Sequence, residues 1–169
     1  MAFEPVYQYF KQKGLDNRIT LFERATQNVA EAATWLNTSL GSIAKSIVFD
    51  LDHRLIMVVC SSDEKISIRK FVAHFGKEAP LLADQKVPEL VGHVVGGVCP
   101  FNLPANIEVY LDMSLRRFDF VYPAAGSRNS AIQLTPDELE IHSLAKSWVY
   151  LTEGDDQFGR HSFHIEDYM

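Results

Sequence analysis

The sequence has little of what secreted or membrane-bound chains require. It contains only two cysteines, Cys60 and Cys99, among 169 residues, which is too few for a disulfide framework. Its longest apolar runs, such as Leu55–Cys60, are far shorter than the roughly 20 residues that a membrane-spanning helix needs. The N-terminus lacks the basic stretch followed by an apolar stretch that marks a signal peptide. These absences predict a protein of the reducing cytoplasm.

The charge balance disfavours a globally basic nucleic-acid binder. Lysine and arginine number 16 against 22 acidic residues, for a net charge of −6. This balance is still compatible with a local basic cleft on an otherwise acidic protein. The hydrophobic fraction of 47% is that of an ordinary globular chain. We therefore predict a single domain over residues 1–151 and a polar, partly flexible tail over residues 152–169.

The common hydrolase signatures are also absent, since the sequence has no G-x-S-x-G elbow, no H-E-x-x-H motif and no Walker loop. Cys99 follows two glycines, but nothing in the sequence indicates the environment that lowers the pKa of a nucleophilic thiol. The tail carries four residues of types that bind metals, namely His161, His164, Glu166 and Asp167. A polar tail rarely holds converging ligands in place. We therefore predict no metal and no cofactor.

Short helical and strand patterns alternate along the chain. Periodicity and capping signals predict helices over residues 4–14, 28–41, 67–76 and 136–146, and a short helix within 80–92. Strand patterns cover residues 18–23, 45–50, 54–61, 107–112, 117–123, 130–135 and 147–151, and Asp52 and His53 join the second and third of these in a hairpin. The long helical crossovers of a doubly wound sheet are missing. The sequence therefore predicts a mixed α/β domain with a mostly antiparallel, curved or barrel-like sheet flanked by helices.

Two features offer candidate chemistry. Lys45 is a lone cation beside the apolar residues Ile47–Phe49, and it is either a lysine that reaches solvent at a strand end or a fixed cation aimed at a phosphate or carboxylate. Gly96 and Gly97 lie between apolar residues. Paired glycines suit either a close approach of the backbone to a ligand or a tight bend at a sheet edge. The residues alone leave both pairs of alternatives open.

Several segments occur in an order that resembles the YbaK/EbsC family, which is related to the editing domain inserted in bacterial prolyl-tRNA synthetases. These segments read LGSIAKSIVF, GHVVGGVCPF, VYLDMSL, AAGSRN and LTPDEL, and the resemblance covers roughly residues 5–150. It implies the fold of that editing domain. It also implies a freestanding aminoacyl-tRNA deacylase that hydrolyses the ester of a mischarged tRNA, with tRNA(Pro) carrying a small non-cognate amino acid as the expected substrate. Such a second sieve repairs errors that one apolar pocket cannot avoid.

The resemblance also implies site residues. Lys45 is expected to engage the phosphate of the 3′-terminal adenosine, and the backbone from Gly96 to Pro100 to hold the ester and the attacking water. Catalysis would then rest on positioning and oriented polar groups. Further substrate contacts are expected at Ser46, Gly97, Val98, Pro100, Asp112 and Ser127, with a turn or cap role as the alternative for Asp112. Ala124 and Ala131 stand where some members carry a polar side chain, which argues against a cysteine-specific pocket.

The expected partner is the 3′ acceptor end of an aminoacyl-tRNA. Because the acidic net charge opposes tight stand-alone tRNA binding, the resemblance implies delivery by prolyl-tRNA synthetase or an elongation factor. A local basic rim is one reading of Arg54, Arg69, Lys70, Arg116, Arg117 and Arg128, and solvated surface charge is the other. The alternative function is a non-catalytic module of the same fold that binds an amino acid, a nucleotide or a tRNA 3′ end. The presence of both Lys45 and the Gly96–Pro100 segment favours the enzyme.

Overall fold

A computed structural model of the chain describes residues 3–154. The helices are α1 (Phe3–Gln12), α2 (Val29–Leu36), α3 (Ile68–Phe75), α4 (Val87–Val91) and α5 (Pro136–Ser143). The strands are β1 (Ile19–Leu21), β2 (Ile43–Leu51), β3 (Arg54–Ser61), β4 (Glu108–Asp112), β5 (Tyr122–Pro123), β6 (Ser130–Ile132) and β7 (Ser147–Val149). The tail residues weighed above as metal ligands lie outside the described residues. Within residues 3–154 no helix is long and apolar enough to cross a membrane.

The strands form a curved five-stranded sheet and a two-stranded pair. Five of them pair in the order β5-β2-β3-β4-β7, and β1 and β6 form a separate pair. Two isolated bridges, Val121–Leu134 and Ala124–Ala131, connect the β5 region to the β6 region. The predicted mixed α/β class with a curved sheet and flanking helices is confirmed.

The strand directions are more mixed than the sequence indicates. The long β2–β3 hairpin is antiparallel, as predicted, and the β1–β6 pair is antiparallel too, whereas the β2–β5, β3–β4 and β4–β7 pairs are parallel. A parallel pair needs a crossover connection. Here the crossovers run through short helices and irregular segments, which give no crossover signal in the sequence.

The hairpin at Asp52 and His53 is confirmed. Both residues have positive φ angles, 50° and 68°, as the turns that match strand twist require. Because side chains alternate along a strand, Ala44 and Val48 of β2 pack into the main core, whereas Phe49 packs with α3 on the other face. The sheet is thereby buried on both faces along β2, and the site described below opens at its outer edge.

Several predicted boundaries are wrong. The helix predicted to end at Gly41 ends at Leu36, because Asn37 takes the left-handed conformation that closes α2. Gly41 lies in a separate 3-10 turn, Leu40–Ser42. The strand predicted over 117–123 shrinks to Tyr122–Pro123, since the residues before it form a 3-10 turn and an irregular segment in which Phe120 is exposed.

The last described residues, up to Gly154, make specific contacts with the rest of the chain. Thr152 is fully buried and bridges Ile66. Its hydroxyl donates to the Asp112 carboxylate at 2.9 Å, and its carbonyl accepts from the Lys70 ammonium at 2.7 Å. The end of the described chain is therefore a packed part of the domain.

Candidate active site

A cavity of about 440 Å³ opens along the outer edge of β2. Its walls come from β2, α2, the segment around residues 81–87, the loop that contains Gly96, and the turn before β6. Volumes of this order are typical of small-molecule sites, for which about 300–1,000 Å³ is common. Segments far apart in the sequence thus meet around one space.

Five of the residues expected at the site line this cavity: Lys45, Ser46, Gly96, Val98 and Ser127. The structure therefore brings together the residues for which the resemblance implies the chemistry. Gly97 packs directly behind the wall, against Ser127. Pro100 and Asp112 are buried and do not line the cavity.

Lys45 projects from β2 as a tethered cation. Its Nζ donates a hydrogen bond of 2.6 Å to the backbone carbonyl of Glu64, and no carboxylate in residues 3–154 forms an ion pair with it. An ammonium group has further N–H donors beyond the one used here. The half-buried Lys45 is therefore a held cation with donors left for an anion.

The hydroxyl of Ser46 is buried and has no hydrogen-bond partner among the described residues. An unsatisfied buried polar group costs about 1–3 kcal/mol. On the opposite wall, Ser127 Oγ lies 2.6 Å from Ser130 Oγ and 2.9 Å from Asn129 Oδ1. Ser46 is thus the cavity hydroxyl that still lacks a partner in the described part of the chain.

Gly96 and Gly97 allow their loop to pack closely against the Ser127–Arg128 turn. Gly96 has a φ of +90°, and a Cβ there would lie 3.0 Å from Cγ and Nε of Arg128. A Cβ on Gly97 would lie 2.8 Å from the carbonyl carbon of Ser127 and 2.9 Å from its Cα. The bare backbone therefore lets this loop press against the Ser127–Arg128 turn, at the edge of the cavity.

Asp112 takes the alternative role of a cap. Its carboxylate accepts hydrogen bonds from the backbone of Ser114 at 2.9 Å and of Leu151 at 2.7 Å, as well as from the Thr152 hydroxyl. These contacts hold the end of β4 to the end of the described chain. The structure gives no support for a substrate contact at Asp112, because its oxygens are already engaged away from the cavity.

Cys99 has the environment of a core thiol. It is fully buried, and burial raises the pKa of its thiol to about 12. The neighbouring His93 is also buried, with Nε2 2.8 Å from the carbonyl of Phe101, and burial lowers its pKa. A protonated thiol is a poor nucleophile, and neither residue lines the cavity.

Most of the cations considered for a basic rim are engaged elsewhere. Ion pairs join Arg54 to Glu108, Arg116 to Asp137 and Arg117 to Asp63. Lys70 is buried against Thr152, and Arg69 does not line the cavity. Of the six cations considered for the rim, Arg128 lines the cavity.

Sequence reasoning missed one charged residue of the cavity. Asp84 lies in its wall, next to a segment that reaches β2 through the Phe49–Leu81 bridge and the hydrogen bond from Leu82 N to Val48 O. No local pattern marks this residue, because its position depends on that long-range pairing. Within residues 3–154 no three His, Cys, Asp or Glu side chains converge as a metal site would need.

The fold and the cavity together define a small mixed α/β protein in which a held cation and a glycine loop line one cavity. The aminoacyl-tRNA editing domain family matches residues 23–141. Bacillus subtilis has an uncharacterized relative, YwhH, that is 44% identical over 150 residues, 88% of this chain and 96% of that protein. The Escherichia coli Ser/Thr-tRNA deacylase ProXp-y is 28% identical over 138 residues, 77% of this chain and 81% of that protein.

A solved structure of a candidate trans-editing enzyme for prolyl-tRNA synthetase superposes with a TM-score of 0.77 at 26% identity, over 89% of this chain and 98% of that one. This chain belongs to the aminoacyl-tRNA editing domain family. The resemblance noted in the sequence is thereby confirmed, and the relatives include a Ser/Thr-tRNA deacylase.

Proposed function

We propose that this protein is a freestanding deacylase that hydrolyses the ester between a small amino acid and the 3′ end of a mischarged tRNA, with tRNA(Pro) as the expected tRNA. The observation that carries the proposal is the cavity whose walls contain both Lys45 and the glycine loop. Relatives with editing activity in their names support the reaction class.

Lys45 supplies the anchor in this proposal. Its remaining donors bind the phosphate of the terminal adenosine, and a phosphate contact of this kind positions the RNA without reading its sequence. The ester then lies along the backbone of Gly96 and Val98. Because the phosphate is fixed at one side and the loop at the other, the bound ester loses the freedom that slows its reaction in solution.

Among residues 3–154 no histidine lines the walls, and the acid–base groups along them are Lys45, Asp84, Tyr122 and Arg128. A strong, dedicated general base is therefore not part of the proposal. Oriented polar groups around the developing oxyanion lower the barrier instead, and a hydroxyl of the substrate's own ribose assists the attacking water.

The polarity of the walls favours a small hydroxylated amino acid. Val98, Ala124 and Ala131 provide an apolar surface, whereas Ser46 provides a hydroxyl without a partner among the described residues. A serine hydroxyl can take any of its staggered positions, so that of Ser46 can turn toward a bound group. We therefore assign seryl or threonyl esters as the preferred substrates over alanyl esters, and the Escherichia coli relative, a Ser/Thr-tRNA deacylase, supports this assignment.

Ser46→Ala tests this assignment. The substitution removes an unsatisfied hydroxyl, so we expect the melting temperature to stay the same or to rise by a few degrees, since about 1–3 kcal/mol of desolvation cost disappears. We also expect the ratio of kcat/KM for seryl-tRNA over alanyl-tRNA to fall. A ratio equal to that of the wild type would remove Ser46 from amino-acid selection.

The enzyme and the binding module are separated by one experiment. The protein is incubated with tRNA(Pro) carrying alanine, serine, threonine, cysteine or proline, and the remaining ester is followed with time at enzyme concentrations below that of the substrate. Several turnovers per protein molecule support the deacylase. Retention of the RNA on the protein with the ester intact supports the non-catalytic module.

Replacement of either cysteine tests the absence of thiol chemistry. Since burial keeps the Cys99 thiol protonated, with a pKa of about 12, we expect Cys60→Ala and Cys99→Ala to retain the wild-type turnover per folded molecule. Both side chains are buried, so a lower melting temperature is expected. Turnover and the folded fraction are measured on the same sample, and a folded but inactive Cys99→Ala protein would restore the nucleophile hypothesis.

A further inference from the structure

Arg128 differs from the other arginines of residues 3–154 in its surroundings. Ion pairs with carboxylates engage Arg18, Arg24, Arg54, Arg116 and Arg117, and Arg69 has an interaction of its own. The guanidinium of Arg128 has no carboxylate, hydrogen-bond or aromatic partner in the described part of the chain. It lies instead in the wall of the cavity that contains Lys45.

The position of Arg128 is fixed although the residue is exposed. Its backbone carbonyl accepts hydrogen bonds from the Thr26 amide at 3.0 Å and from the Thr26 hydroxyl at 3.2 Å. Its alkyl chain lies across Gly96, where Cγ and Nε are 3.0 Å and Cδ is 3.1 Å from the site of a Cβ. An arginine that contacts only solvent is not held in this way. Here the absence of a side chain at Gly96 leaves space for the Arg128 side chain.

The charges along the cavity are arranged for an anionic polymer. Two cations, Lys45 and Arg128, and one carboxylate, Asp84, line the cavity, on a chain whose net charge is −6. Two of these three charges are thus cationic, on a chain that is acidic as a whole. A guanidinium presents a planar fork of donors that matches two phosphate oxygens at once.

We infer that Arg128 binds the phosphodiester immediately upstream of the terminal adenosine phosphate, and that Gly96 is needed in part to seat the arginine. This inference rests on the proposed deacylase function. Lys45 is half-buried and Arg128 is exposed, so an RNA strand that enters from the rim passes Arg128 before it reaches Lys45. The two cations then hold consecutive phosphates and set how far the 3′ end enters.

The test compares two substrates, one with and one without the RNA upstream of the terminal adenosine phosphate, which includes the next phosphodiester. One is an aminoacylated RNA minihelix that ends in CCA, and the other is the same aminoacyl group on adenosine 5′-phosphate. Arg128→Gln is expected to lower kcat/KM for the minihelix by about 10- to 100-fold, as the loss of a hydrogen bond to a charged group does. For aminoacyl-adenosine 5′-phosphate the variant is expected to equal the wild type. The salt dependence of minihelix binding should also become shallower.

Arg116→Gln is the matched control, since Arg116 is an arginine that does not line the cavity, and it should leave both substrates unaffected relative to the folded fraction. An equal loss on both substrates for Arg128→Gln would overturn the inference, because the residue would then act on the loop or the ester. No loss on either substrate would identify Arg128 as a solvated charge and would overturn it as well.

A second readout separates this inference from the proposed function. Minihelices and adenosine 5′-phosphates that carry the amino acid through a stable 3′-amide cannot be hydrolysed, and their dissociation constants report binding alone. If the wild type hydrolyses no ester, the deacylase proposal fails. A selective loss of minihelix binding in Arg128→Gln would still support the phosphate contact, and unchanged binding would overturn it.

Discussion

Lys45→Ala is expected to lower the deacylation rate by about 10²- to 10⁴-fold, because each hydrogen bond to a charged group contributes about 1.5–3 kcal/mol and Lys45 is proposed to make more than one with the phosphate. The fold should persist. The side chain is half-buried and its one described hydrogen bond, to the carbonyl of Glu64, spans 2.6 Å. The measurement is single-turnover hydrolysis of mischarged tRNA, together with a melting curve.

Lys65→Ala provides the control for this substitution. Lys65 is a nearby exposed lysine that does not line the cavity, so its removal changes the net charge equally without touching the anchor. Lys45→Arg tests geometry, since it keeps the charge but replaces a compact donor with a planar one. A Lys45→Ala protein that hydrolyses at the rate of Lys65→Ala would exclude Lys45 from the mechanism.

Gly96→Ala is expected to reduce turnover strongly while the protein remains folded. The residue has a φ of +90°, so an alanine is strained there by about 1–3 kcal/mol. Its Cβ would also lie 3.0 Å from two atoms of the Arg128 side chain and displace them. The chain offers a matched control, because Gly92 has a φ of +84° and an added Cβ there meets nothing within 4 Å.

Gly92→Ala therefore introduces similar backbone strain without a contact to another side chain. We expect both variants to melt a few degrees below the wild type, and only Gly96→Ala to lose turnover per folded molecule. If both variants lose stability and both keep turnover, the glycines serve only as bends. Combining Gly96→Ala with Arg128→Gln should cost less than the sum of the two changes, since both act on one seat.

The local parts of the fold could be predicted from the sequence because their causes are local. The Asn28 and Thr135 side chains accept hydrogen bonds from backbone amides three residues later, and Gly76 closes α3. These caps mark helix ends directly in the sequence. The parallel strand pairs could not be found in this way, because nothing local records which strand lies beside β3 after a long crossover.

The site divides in the same way. Lys45 and Gly96 stand out as a cation among apolar residues and as a paired glycine, and the cavity does contain both. Asp112 also stands out at a strand end, but its carboxylate binds backbone amides and a buried hydroxyl. Asp84 and Arg128 line the cavity only because segments distant in the sequence meet at β2. A residue type at a strand end therefore indicates a site only when its neighbours in space are known.

Glu64 connects the anchor of Lys45 to the last described residues of the chain. Its backbone carbonyl accepts from Lys45 Nζ, and its carboxylate accepts from the backbone of Gly154 at 2.8 Å. The backbone of Glu153 donates to the carbonyl of the adjacent Lys65 at 2.9 Å. We expect a chain shortened to Val149 to lose these hydrogen bonds and to loosen the segment on which the ammonium rests. Removal of these last described residues would therefore disturb the Lys45 side of the cavity although none of them lines its walls.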